Sequence, residues 1–294
     1  MASLRGPPYR VGASIAADPT ALGWFHRAHG LHALYRGDPG AYLATLEIAC
    51  ESFARAGDRR TACGMQVNVG FANVQLGRYE IAERVLRAAL VGAERLGLSA
   101  VVNGARNNLG IALAYLGRLD EGRALEEEAA AALHAQGDRR LESGSLVYLA
   151  TIHRLAGDLD AAERTARRAI EVLVGNNSAR AEATATLADV LLAQGRVGEA
   201  LALAREAMDV LGALGEKAES GAPAPLVHAE ALIAAGHRDE ARRALFAARA
   251  RLLARAAKIT DPAVRQTFLE RVPAHARTIA LSAAWAEEGD EIEG

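Results

Sequence analysis

Cysteine is almost missing from this chain: Cys50 and Cys63 are the only two among 294 residues. They form no CxxC pair, so neither a disulfide-stapled scaffold nor a cysteine-rich metal ribbon is available, and a reducing compartment such as the cytoplasm is expected. Lysine is equally scarce, with only Lys217 and Lys258, and no GxxxxGK[ST] phosphate loop can be built from either. The nucleophile elbow GxSxG and the kinase motif HRDxxxxN are also absent. No run of eighteen apolar residues exists, so no membrane span is expected. The net charge of −2 lacks the basic footprint of a nucleic-acid surface. His26, His29 and His32 stand three apart, but the outer two fall on different helix faces, and His29 is assigned to a buried seam. These absences point away from catalysis, cofactors and metal, and towards packing.

What is present is glycine and alanine in step. Residues Gly104 to Gly137 read as two helices joined at Gly117, with Leu109, Leu113 and Leu116 on one helical face. The joining glycine recurs as Gly37, Gly77, Gly117, Gly157, Gly195 and Gly236, close to every forty residues. A second series, Gly57, Gly97, Gly137, Gly175 and Gly215, follows the second helix of each unit. A fixed period of this length predicts stacked helix pairs. Seven residues before each joining glycine stand Gly30, Gly70, Gly110, Ala150, Ala188 and Ala229. Twelve after stand Ala49, Ala89, Ala129, Ala169, Ala207 and Ala248. Small side chains at fixed points let paired helices approach closely. A glycine inside a helix costs roughly 1 kcal/mol against alanine, so Gly70 and Gly110 are read as packing positions.

This pattern of small residues, with glycine at the turn, resembles the tetratricopeptide repeat, in a longer form like that of kinesin light chain. The resemblance covers about residues 20–255. It departs from the usual pattern in its longer period and in having no proline after the second helix. The usual aromatic of the second helix is replaced by Leu46, Leu86, Glu126, Ala166, Ala204 and Leu245. Glu126, Glu127 and Glu128 are assigned to a solvated outer face. The fold class so implied is all-α: a right-handed superhelix of six helix pairs plus C-terminal capping helices.

Six pairs are expected at about 19–57, 59–97, 99–137, 139–175, 178–215 and 224–258, preceded by a flexible arm at 1–18. The segment Glu216 to Pro225 reads as a long loop that shortens the helix after it. Residues 259–288 are expected to cap the last apolar face, followed by a tail at 289–294. The stretch from Asp261 to Leu281 is also similar to the tail that follows such repeats in large bacterial signalling kinases and ATPases, which suggests a piece of a larger protein.

The resemblance implies that the first helix of each pair lines a concave face, 13, 10, 9, 6, 3 and 2 residues before the joining glycine. On that register Asn68, Asn107 and Asn108 offer amides that can hold an extended backbone, since each amide both donates and accepts. Phe71 and Ile111 offer apolar pockets, Tyr115 and Tyr148 rigid amphipathic surface, and Arg154 a charge. The function implied is a non-catalytic scaffold that binds a protein or peptide partner in the groove. The alternative is a self-associating or regulatory segment of a larger signalling kinase or ATPase, with the asparagines bonding neighbouring helices instead.

Overall fold

The computed structural model describes residues 12–173, 175, 178–214 and 223–293. Among them every regular element is a helix. The first helices of the six pairs, here the A helices, are α2 (Pro19–Tyr35), α4 (Arg59–Gln75), α6 (Ser99–Tyr115), α8 (Arg139–Leu155), α10 (Ser178–Ala193) and α12 (Ala224–Ala234). Their partners, the B helices, are α3 (Pro39–Arg55), α5 (Tyr79–Arg95), α7 (Leu119–Gln136), α9 (Leu159–Glu171), α11 (Val197–Leu214) and α13 (Arg238–Lys258). A short helix, α1 (Ala13–Ala17), precedes them, where the sequence suggested an irregular arm; α14 (Pro262–Glu270) and α15 (Pro273–Glu293) follow. The expected arm residues 1–11, and most of the expected loop before α12, lie outside the described residues.

Glycine and aspartate divide the work at the helix junctions. Gly117 takes φ 82° between α6 and α7, a conformation that a Cβ would oppose. After other joints an aspartate caps the next helix. Asp58, Asp138 and Asp158 accept from the backbone N–H of Thr61, Leu141 and Ala161 at 3.0, 3.0 and 2.9 Å. Each such cap is worth about 1 kcal/mol.

The small positions are buried as the register requires. Ala49, Ala89, Ala129, Ala169 and Ala207 have no exposed surface. In the third pair backbone meets backbone: a Cβ on Gly122 would lie 2.5 Å from the carbonyl oxygen of Gly110. In the second pair a Cβ on Gly70 would overlap Leu86. In the first pair the seam differs from the sequence assignment: His26 is the buried histidine, while His29 is half-buried and lies tilted against Phe25 with ring centroids 4.2 Å apart.

Glu126 is a second correction. It has no exposed surface and reaches the space left open by Gly110. Glu126 stands nine residues after Gly117, the register position that Leu46 and Leu86 bury in the first two pairs. In the third pair it fills the aromatic's place.

The C-terminal helices cap the array and also close it. Along α15, Arg277 meets Glu230 of α12 at 2.8 Å and Trp285 packs on the core of the last pairs. The end of α13 and α14 instead return to the first pairs. Leu252, Ala256, Ile259 and Phe268 share one core with Tyr42, Leu43, Leu46 and Leu76. Lys258 Nζ donates to the Arg36 carbonyl at 2.6 Å, and Tyr79 donates to the Arg271 carbonyl at 3.1 Å. Arg271 grips Glu80 through two bonds of 2.8 Å, holding that carboxyl down at about 2. This ion pair is exposed and worth at most about 1 kcal/mol. Fully buried Phe268 supplies more, roughly 1.5–3 kcal/mol from area alone.

Gly122→Ala should therefore cost about 1–3 kcal/mol in chemical denaturation, because neither backbone can retreat. Gly144→Ala, where nothing lies within 4 Å of the added methyl, should be neutral or stabilising by up to about 1 kcal/mol. Equal effects at the two positions would contradict the crossing geometry. Phe268→Ala should cost about 3–5 kcal/mol, whereas Arg271→Ala should stay within about 1 kcal/mol.

Candidate functional site

From the second pair onward successive A helices touch one another, α4 with α6, α6 with α8, α8 with α10 and α10 with α12, whereas α2 makes no comparable contact with α4. Successive B helices are in no comparable contact. The A helices α4 to α12 therefore form the inner wall of the curve, and the repeat register assigns α2 to its near end. Positions 13, 10, 9, 6, 3 and 2 before each joining glycine run along it.

The predicted site residues separate into three groups. Asn68 and Asn108 are half-exposed on α4 and α6, and Tyr115, Tyr148 and Arg154 follow on α6 and α8. Asn107 is a tie within the array: its amide donates to Ser145 at 2.6 Å and to Glu126 at 3.3 Å, joining three helices. Phe71 is half-buried against the first core. Ile111 offers no surface, being 1% exposed in a core shared with Ile152 and flanked by Tyr115 and Tyr148. Its expected role as a pocket is thus corrected to packing.

Several wall residues were not singled out from sequence, although the same register marks them in repeats 1, 5 and 6. Trp24, Leu31 and Tyr35 stand 13, 6 and 2 before Gly37. Glu182 and Asp189 stand 13 and 6 before Gly195, and Glu230 stands 6 before Gly236. Arg277 enters from α15 and follows no repeat position.

The wall changes character along its length. Aromatic and aliphatic groups dominate at α2, amides at α4 and α6, and ionic groups from α8 onward. Arg154 Nε meets Asp189 at 2.7 Å, yet burial outweighs that cation and pushes the Asp189 carboxyl up. Burial alone raises Glu182. Tyr115 and Tyr148 keep an edge in solvent, but the surrounding walls push both phenols up, Tyr115 to about 12. Asp189, Glu230 and Arg277, with Leu192, Ile233 and Leu281, line a cavity of about 410 Å³. Among the described residues no three His, Cys, Asp or Glu side chains are grouped to hold a metal.

Behind the wall, Glu126 is pushed well up by burial, against weaker opposing help from Ser145 and Asn107. One of its oxygens has no hydrogen-bond partner. Burial in the low-dielectric seam thus favours the protonated carboxyl.

Stacked helix pairs with their A helices inward define an α-helical solenoid. Two of its repeats match a known family: the profile described as tetratricopeptide repeat covers residues 104–135 and 180–214. No curated protein matches the chain by sequence. Solved structures agree in fold. A Rap protein complexed with competence and sporulation factor superposes with a TM-score of 0.68 at 10% identity, covering 92% of this chain and 79% of its own. The Rap conjugation gene regulator of plasmid pLS20, in complex with the Phr* peptide, gives 0.62 at 14% identity over 96% and 81%. NprR in complex with its cognate peptide NprX gives 0.60 at 16% identity, over 71% of this chain and 60% of its own.

The raised Glu126 carboxyl makes stability depend on pH. Its contribution is intact below the unfolded value near 4.5 and is lost as pH rises towards the folded value. Glu126→Gln escapes that loss. The variant should gain on the parent by about 1.4 kcal/mol per pH unit above 4.5 until the folded carboxyl ionises. Thermal melts from pH 4 to 8 measure the gap; a constant gap would mean that Glu126 is not held protonated.

Proposed function

We propose that the chain is a non-catalytic interaction scaffold that holds a peptide, or an extended segment of a partner protein, along its inner wall. One observation carries this reading. Five large hydrophobic side chains among the described residues are conspicuously exposed, and four of them, Trp24, Leu31, Tyr35 and Leu155, occupy inner-wall positions. Exposed apolar side chains are ordinary when scattered; concentrated on one concave face they mark a surface meant to be covered. Half-exposed Asn68 and Asn108 supply paired donors and acceptors for a backbone, and Tyr115 and Tyr148 supply rigid contact area.

The solved relatives support the same reading, since two Rap proteins and NprR were each determined with a bound peptide or factor. A place in bacterial cytoplasmic signalling fits that company. No helix among the described residues is long and apolar enough to cross a membrane. The wall offers hydrogen bonds, aromatic edges and ion pairs, and the reading assigns it binding rather than turnover.

Panning a random peptide library on the protein should yield binders, and Asn68→Ala with Asn108→Ala should weaken them at least tenfold. Helical content and melting should change little. A large loss of stability instead would assign the asparagines to the array itself. Light scattering run alongside distinguishes the alternative: a monomer that captures peptide supports the scaffold, whereas a tight dimer that captures none supports self-association.

A further inference from the structure

We propose that the α2 end of the inner wall seats an acidic apolar segment of the partner, one that alternates Leu- or Phe-like side chains with Asp or Glu. The proposal rests on the groove reading above and adds the chemistry of the occupant. Trp24, Leu31 and Tyr35 are spaced by seven and four residues, so they share one face of α2. They are 48%, 45% and 60% exposed. The stripe they form is about 16 Å long, the reach of some five extended residues.

The charged side chains of α2 itself have one sign. The α2 helix contains no Asp or Glu. The Arg27 guanidinium sits 4.9 Å above the Trp24 ring, and His32 and Arg36 close the last turn. None of the three pairs with an acidic side chain among the described residues. The two flanking carboxylates are committed to helix caps, Asp18 to the Thr20 N–H at 2.8 Å and Asp38 to the Ala41 N–H at 2.9 Å.

The far end of the wall differs in this respect. There Arg154 is taken by Asp189 and Arg277 by Glu230. Uncovered aromatic surface and unmatched positive charge therefore coincide at α2. A ligand carboxylate beside an apolar side chain meets Arg27 and Arg36, while the flanking carboxylates Asp18 and Asp38 are bonded to helix N-termini; a ligand ammonium on that face meets repulsion. The same accounting disfavours two other occupants. The chain's first eleven residues, MASLRGPPYRV, carry two arginines and no carboxylate side chain. The α2 of a second copy brings the same positive sign.

The chain has two tryptophans, so Trp285→Phe leaves Trp24 as the only indole reporter. The probes are a ten-residue peptide of alternating Leu and Glu and its Leu-Lys counterpart. The Glu peptide should shift Trp24 emission to the blue and bind at least tenfold tighter than the Lys peptide. Arg27→Gln with Arg36→Gln should reduce that preference to within about twofold, with the circular dichroism spectrum unchanged. Equal affinities, a preference for Lys, or Trp24 emission that changes with protein concentration alone would overturn the proposal. If library binders respond to Asn68 and Asn108 while the Glu peptide leaves Trp24 unshifted, the groove reading stands and this one fails. If no peptide of any kind binds, both fail.

Discussion

Close approach between paired helices is the constraint from which the rest follows. Where Gly110 faces Gly122, backbone meets backbone. Where alanine stands twelve residues after the joining glycine, its methyl is buried. A hairpin this thin has little interior of its own. It buries its apolar face only against the next hairpin. Since A helices touch A helices and B helices stand apart, each addition turns the stack the same way. Curvature thus arises from side-chain volume, and the inner wall is its product.

Most of this geometry was legible in the residues because it is local. Glycine at the joint, aspartate at the cap and alanine at the crossing each act within a few positions. Glu126 shows where that reasoning failed. A run of three glutamates suggested a solvated face, but Glu126 occupies the register position that Leu46 and Leu86 bury, and Gly110 opposite leaves it room. Ile111 failed for another reason. Its register position faces the wall, yet Tyr115 and Tyr148 are bulky enough to seal it off. Trp24, Leu31, Tyr35, Glu182, Asp189 and Glu230 lay on the same register and needed only its extension to the outer repeats.

The return of α14 to the first pairs could not be read in this way. Tyr79 and Arg271 are 192 residues apart, and their meeting depends on the summed curvature of every repeat between them. No local pattern encodes such a sum. Arg277 was likewise out of reach, because it follows no repeat position and enters the wall from α15. The site is therefore composite: six A-helix faces set by repetition, and one guanidinium brought in by the tail.

That return also alters how the molecule comes apart. A linear solenoid frays from its terminal units, losing one hairpin at a time, because each holds only its neighbour. Here the opening and closing hairpins share a core through Leu252, Ile259 and Phe268. Neither can peel away without first unseating the other. Joining the two ends converts a zipper into a hoop, whose melting is collective and whose interior is reached from above or below rather than by prising a loose edge.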